Sequence, residues 1–263
     1  MLRQCTCNPV MTTIPTPTSV GARDDCHPID CQQCVLLRVC TSIPNGDAAT
    51  ECDDVRAARR RSLTPGAVLY RRGDPVRGIF VVRAGALKLS DVATSGEEFV
   101  IGFALPGEPA GLEALAGYRY QRHATALRSV AYCEIPIRQF LRVFGGAPRV
   151  PAEMLRITAA ALDMSMHRAA IVHRDARARV AAFLLDISQR LAGKGIRSAD
   201  FFLPMPRRDI AAYLGLSLET VSRVLQDLHR RGLIAVRARA VRLQAFNQLA
   251  CLAWGAPESA LQA

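Results

Sequence analysis

"MPRRDIAAYLGLSLETVSRVLQDLHRRGLIAVRARAVRLQ", residues 205–244, is the stretch whose reading decides the fold. A short helix is expected from Arg207 to Leu214, stopped at Gly215, and the turn Gly215-Leu216-Ser217 leads to a second helix from near Leu218. Ala211, Leu216, Val221 and Leu225 are spaced to hold two helices at a steep angle, the helix-turn-helix pattern with glycine in its tight turn. "GLIAVRARAVRLQ" then reads as two short strands around a basic turn, the wing of a winged helix, where Arg237, Arg239 and Arg242 can reach phosphates. In such a motif the first residues of the second helix face base edges in the major groove. Glu219, Ser222 and Arg223 lie three and four apart and share a face. Arginine can fork onto guanine O6 and N7, glutamate can accept from cytosine N4, and serine can bond several edges. Arg207, Arg208, Thr220, Arg237 and Arg239 are the candidates for the DNA backbone. The alternative for this helix is a solvated face with an internal ion pair.

Upstream, "DARARVAAFLLDISQRL" (175–191) is an amphipathic helix with Asp175 as N-cap. Before it, "PAEMLRITAAALDMSMHRAAIVHR" (151–174) has helical periodicity, with Leu155, Ala159, Leu162, Met166 and Ala169 recurring at three- and four-residue steps. That stripe is either a dimer seam or a surface packed on the chain's own preceding domain. From about 61 to 145 the texture is short strands punctuated by turns, as in "AVLYRRGDPVRGIFVVRAGALKLS" (67–90), which points to an antiparallel barrel or jelly roll. Residues 1–25, rich in Thr, Pro and Ser without periodicity, read as a disordered leader.

The 263 residues suffice for two domains with real cores, and half are hydrophobic. A formal net charge of +11 favours an anionic partner, nucleic acid above all once the basic wing is considered. No run of 18 apolar residues and no apolar signal-peptide core occur, so no membrane partner and a cytoplasmic location are expected. In the cytosol thiols stay reduced, so "CHPIDCQQCVLLRVC" (26–40), with four of the nine cysteines, points to metal binding or redox chemistry rather than disulfides. The five histidines (27, 123, 167, 173 and 229) are scattered, and no HExxH, GxSxG or P-loop pattern is present, so an enzyme is not expected. An iron–sulfur enzyme or electron carrier would need a second cluster motif or a substrate pocket with a nucleophile and base.

A glycine-punctuated roll with Gly-Asp-Pro at 73–75, a long helix and then a winged helix follow one another in an order that resembles the CRP/FNR family of bacterial transcription regulators. "LPGEPAGLEAL" (105–115), "CEIP" (133–136), "ARVAAFLLDIS" (178–188) and "DIAAYLGLSLETVSRVL" (209–225) carry the resemblance from about residue 26 to 250. The last is similar to the FNR branch, where E-x-x-S-R reads the operator; the CRP branch typically has glycine in place of Ser222. The resemblance implies an α+β fold: a cysteine-rich segment, an antiparallel β-roll like that of cyclic-nucleotide-binding domains, a long dimerisation helix and a C-terminal winged helix-turn-helix. It divides the chain into the leader at 1–25, a cluster-binding segment at 26–50, a sensor roll at 51–146, a dimerisation helix at 147–174, a DNA-binding domain at 175–250 and a tail at 251–263. The dimer helix would present Leu155, Ala159, Leu162 and Met166.

Relatives that bind cyclic nucleotide use a Gly-Glu pair and a downstream Arg-Ser or Arg-Thr. Gly107 and Glu108 match, but Arg122 is followed by His123, so the grip is incomplete. The FNR branch instead implies a [4Fe–4S] cluster held here by Cys31, Cys34, Cys40 and the distant Cys133. A zinc site of four thiolates would use the same ligands. Cys5, Cys7, Cys26, Cys52 and Cys251 are unmatched. The implied function is an oxygen switch in which the cluster-loaded homodimer binds a palindromic, TTGAT-like operator, nitric oxide being another signal able to attack such clusters. In the family's dimer helix a seam aspartate opposes dimerisation; counting back from "ARVAAF" puts Met164 there, with Asp163 beside it. Gly96 and Glu97 of "TSGEE" occupy the place of a contact with RNA polymerase, or form a plain hairpin turn.

Overall fold

Side-chain alternation along the strands organises the first half of the molecule. The structure, a computed structural model, describes residues 31–41, 59–146, 149–193 and 199–255. The leader, Cys5, Cys7, Cys26, Cys52 and both flanks of the segment expected at 26–50 lie outside the described residues. A 3-10 turn, Cys31–Gln33, and helix α1, Leu37–Thr41, come first. The strands β1 Arg59–Leu63, β2 Val68–Tyr70, β3 Gly78–Ala84, β4 Leu87–Val92, β5 Glu98–Ala104, β6 Pro109–Ala110, β7 His123–Ala126 and β8 Val130–Pro136 follow. They form two four-stranded antiparallel sheets, ordered β1-β8-β3-β6 and β2-β7-β4-β5, which is the expected roll.

Successive residues of a strand face opposite sides of its sheet. In β3, Phe80 and Val82 point into the roll, whereas Ile79 and Val81 point out into a second apolar cluster. β8, paired to β3 with Val81 opposite Cys133, divides the same way: Val130 and Tyr132 inward, Cys133 and Ile135 outward. The interior is filled by the chain's own rings. Tyr70 stacks on Tyr120 at 3.9 Å between centroids, and Phe80 lies 5.7 Å from Tyr70. The buried Tyr120 hydroxyl donates to the Gly78 carbonyl at 2.8 Å, so its polar end is satisfied.

The strand texture expected to about 145 ends earlier, because Ile137–Gly146 is a helix, α2. Its apolar residues Ile137, Phe140, Leu141 and Phe144 repeat at helical rather than strand spacing, and Phe140 and Val143 are buried on the outer face of β3. Helix α3, Arg149–Ile171, comes next. Met154 and Ile157 pack into the same outer cluster, while Leu155, Leu162 and Met166 are 72%, 61% and 65% exposed, with Ala159 exposed between them. Met164 departs from its expected place on this stripe. It stands two helical turns after Ile157, on the buried side, and is half-buried in the lining of a cavity of about 620 Å³ against Val100 and Phe183.

Helix α4, Ala176–Ala192, begins at Asp175, whose carboxylate accepts from the Ala178 N–H at 2.9 Å, the expected cap. β9 Asp200–Phe202, α5 Arg207–Leu214, α6 Leu218–Arg230, β10 Ile234–Arg237, β11 Ala240–Leu243 and α7 Phe246–Trp254 complete the chain. β9 pairs with β11 and makes the expected two-stranded wing a three-stranded sheet. The tail expected from 251 begins later, because α7 runs to Trp254 and Ala253 is buried. The core of this half includes Val100, Phe103 and Leu105 of the roll, so the two halves share apolar packing. Phe103, Phe183 and Tyr213 meet there with ring centroids 5.4–6.4 Å apart. Among the described residues no helix is long and apolar enough to cross a membrane.

Candidate functional site

Local chemistry sets the two helices of the reading head. Gly215 adopts φ 63°, a left-handed conformation that costs glycine little, and its N–H returns to the Ala211 carbonyl to close α5. Ser217 opens α6: its hydroxyl accepts from the Thr220 N–H at 3.1 Å and lies 2.9 Å from the Thr220 hydroxyl. One face of α6 is apolar, with Val221, Val224, Leu225 and Leu228 buried, as the spacing of Val221 and Leu225 requires. Glu219 and Arg223 are exposed on the other side, with Ser222 half-buried.

The backbone candidates are placed unequally. Arg207 reaches across from α5, its Nη1 3.5 Å from the Ser222 hydroxyl, and Arg208 is exposed beside Asp209 at 3.7 Å. Thr220 is half-buried and engaged by the cap. In the wing Arg237 is exposed at the end of β10, and Ala238 turns the chain with φ 54°. Arg239 is half-buried and donates to the Pro204 carbonyl at 3.4 Å, and Arg242 is tied to Asp200 at 2.7 Å. Cationic side chains on α5 and the wing flank a helix whose polar face is open, an arrangement suited to phosphates around exposed base edges.

The second site lies on the outer face of the roll. The Cys34 N–H bonds to the Cys31 carbonyl at 3.0 Å, and the Cys40 N–H to the Leu36 carbonyl at 3.0 Å, folding the segment into two tight turns. Leu36 and Val39 are fully buried against Ile79, Val81 and Ile135, so they are core residues. Cys31, Cys34, Cys40 and Cys133 all belong to this one apolar cluster, Cys133 because its parity in β8 turns it outward. Arg83, likewise outward on β3, directs Nη1 at Cys31 Sγ, 3.8 Å away. Among the described residues no three His, Cys, Asp or Glu side chains converge closely enough to hold a single ion. The donor set suits a thiolate-held group: four cysteines from two chain segments within apolar surroundings. Cys251 lies apart, on α7.

The Gly107-Glu108 pair is present but differently employed. Glu108 binds Arg190 of α4 through both carboxylate oxygens, at 2.7 and 2.6 Å. Arg122 keeps a buried Nε without a hydrogen-bond partner. Gly96 and Glu97 are exposed at the tip of the β4–β5 hairpin, where Gly96 takes φ 86°. Sequence reasoning found these positions but missed Arg83 and Arg190, since no local spacing announces a partner 52 or 82 residues away.

Residues 60–145 match the description of the cyclic nucleotide-binding domain, and residues 178–252 that of the Crp-like helix-turn-helix domain. The transcriptional activator protein FnrA of Stutzerimonas stutzeri is 33% identical over 231 residues, 87% of this chain and 94% of that protein. The transcriptional activator protein anr of Pseudomonas aeruginosa is 32% identical over 226 residues, 86% and 93% of the two chains. Among solved structures, FixK2 from Bradyrhizobium japonicum superposes with a TM-score of 0.70 at 30% identity, covering 76% of this chain and all of that one.

Proposed function

The chain belongs to the CRP/FNR family of transcription regulators, DNA-binding proteins and not enzymes, and from that premise we propose that it is an oxygen-responsive member gated by a [4Fe–4S] cluster. Cys31, Cys34, Cys40 and Cys133 would hold the cluster. The observation that carries this reading is the outward parity of Cys133, which sets it on the face that the cysteine segment covers. When bound, such a cluster supplies an oxygen-labile iron centre.

The protein acts as a cytoplasmic homodimer joined along the exposed Leu155, Ala159, Leu162 and Met166 stripe of α3. Two reading heads then engage a palindromic, TTGAT-like operator. Glu219, Ser222 and Arg223 read bases, while Arg207, Arg208, Thr220, Arg237 and Arg239 hold the backbone. The exposed Gly96 and Glu97 contact RNA polymerase.

Anaerobic purification with an absorbance spectrum and iron and sulfide analysis, repeated after admitting air, tests the input. A brown protein with about four irons and four sulfides per chain that bleaches in air and then loses operator affinity is expected for a cubane. A colourless, zinc-loaded protein with unchanged operator affinity in air would overturn the reading.

A cyclic nucleotide input has one observation in its favour, the unpartnered buried Nε of Arg122. Against it stand the ring-filled roll and the engagement of Glu108 by Arg190. Calorimetric titration with cyclic AMP is expected to give no binding heat.

A further inference from the structure

We propose that the turn at residues 105–108 is a two-sided coupling that transmits displacement between the cysteine segment and the DNA-reading head within one chain. It rests on reading residues 31–41 as the input.

One side of the turn meets the segment. The N–H of Val35, the residue after Cys34, donates to the Gly107 carbonyl at 3.4 Å. The other side meets the head. Arg190 of α4 donates from Nε and Nη2 to the two oxygens of Glu108 at 2.7 and 2.6 Å, a forked pair. The same guanidinium donates to the Phe103 carbonyl at 2.6 Å and to Asp186 at 3.0 Å, with only 10% of the side chain exposed. Leu105, the first residue of the turn, is buried in the core of the head.

The turn is stiff. Pro106 and Gly107 hold the central positions, Gly107 takes φ 86°, and the Glu108 N–H returns to the Leu105 carbonyl at 3.0 Å, a type II turn. Two further bonds stitch it to β3, from Gly107 N–H to the Val82 carbonyl at 2.7 Å and from Val82 N–H to the Glu108 carbonyl at 3.1 Å. The Glu108 carboxylate also accepts the Leu105 N–H at 2.9 Å.

Rigidity is what lets the turn transmit. The Gly107 carbonyl, which faces the segment, and the Glu108 N–H, which binds Leu105, belong to one planar peptide unit and tilt together. A pull on the carbonyl from Val35 therefore loads the contact between Leu105 and the head and the Glu108 fork on Arg190. Burial alone would lower the Arg190 pKa, but the charges and hydrogen bonds of Glu108 and Asp186 outweigh it and the net direction is up, so the guanidinium keeps its charge. Parting the pair would strand a charge in a poorly hydrated place, so segment and head move with the turn rather than away from it. Coupling between two sites is reciprocal, so a change at the head must be felt in the segment.

Hydrogen–deuterium exchange by mass spectrometry on the full chain, comparing parent, Glu108→Gln, Arg190→Lys and Cys34→Ser proteins, tests the coupling. Glu108→Gln and Arg190→Lys are expected to speed exchange in residues 31–41 and 176–192 by about tenfold, with β4 and α6 unchanged. Cys34→Ser is expected to do the same at 105–108 and in the last turns of α4. Faster exchange in 176–192 with none in 31–41, or a uniform rise across the chain, would overturn the proposal and leave the fork a local tie. Iron and sulfide content measured on the same anaerobic samples separates this from the cluster reading. An iron-free parent sinks the cluster, while the exchange comparison still decides the coupling.

Discussion

Arg207 Nη1 lies 3.5 Å from Ser222 Oγ, so the first helix of the reading head reaches the second in the middle of its polar face. The proposed reading gives the two arginines around this face different duties, Arg223 to bases and Arg207 to the backbone. Arg223→Ala is expected to cost about 1–3 kcal/mol on the preferred operator and to relax preference at one base position. Arg207→Ala is expected to weaken all duplexes alike and to reduce the slope of log affinity against log salt by about one. Fluorescence anisotropy over a salt series, with single-base operator variants, reads both. Uniform weakening by Arg223→Ala would refute its assignment to bases.

The Ser217 cap sets where α6 begins. Ser217→Ala removes the acceptor for the Thr220 N–H and is expected to lower stability by about 1 kcal/mol, read as a shift in denaturation midpoint at unchanged slope. Asp175→Ala, at the start of α4, is expected to cost a similar amount. A midpoint unmoved by either change would mean that the caps are redundant with tertiary packing.

The seam of α3 makes a cleaner test than a core would. Leu162 is 61% exposed in the single chain, so Leu162→Glu should leave the stability of the chain within about 0.5 kcal/mol while abolishing the dimer. Sedimentation velocity of anaerobic protein checks this. Asp163, exposed and four residues after Ala159, stands at the border between the stripe and the cavity that Met164 lines. Asp163→Ala is expected to raise the dimer fraction in air; an unchanged fraction would remove this acid from the seam.

Lys88 is 8% exposed and meets Glu98 at 2.8 Å. Burial pushes the Glu98 carboxyl up, but hydrogen bonds from Lys88 and Ser90 and the Lys88 charge outweigh it, and the net direction is down. A depressed folded-state pKa gives stability that is present above the ordinary carboxylate range and lost as pH falls through the lowered value. Glu98→Gln should therefore be less stable than the parent at neutral pH by about 1 kcal/mol, a modest figure because Glu98 is half-exposed. The difference should shrink below about pH 4. Urea denaturation from pH 3 to 7 measures it, and a pH-independent gap would assign the loss to packing.

Cys133 and Cys251 are both half-buried thiols, yet only the first faces the cysteine segment. Cys133→Ser should give a colourless anaerobic protein with no iron, and Cys251→Ser one indistinguishable from the parent by absorbance and iron analysis. Equal iron loss in both would sink the ligand set.

The reading head was legible because its signals are local: a glycine that must take positive φ, a serine cap four residues before an apolar repeat, and a polar face in phase with neither. Helix α2 escaped because its repeat is short and follows a strand without a break at Pro136. β9 escaped because it owes its strand character to pairing, Phe201 opposite Val241, and not to its own three residues. Met164 was placed by counting along a motif, which carries no helical phase; the structure supplies the phase through Ile157. Cys133 was named by resemblance alone; the alternation of β8 accounts for its place on the outer face beside the cysteine segment.

The rings packed inside the roll carry a last consequence. On the proposed reading, the rings that fill the roll take the space a diffusible ligand would need, and the input comes to the barrel from outside. With Tyr70, Phe80 and Tyr120 packed together inside, the proposed coupling makes the roll a fulcrum on whose outer wall the cysteine segment leans.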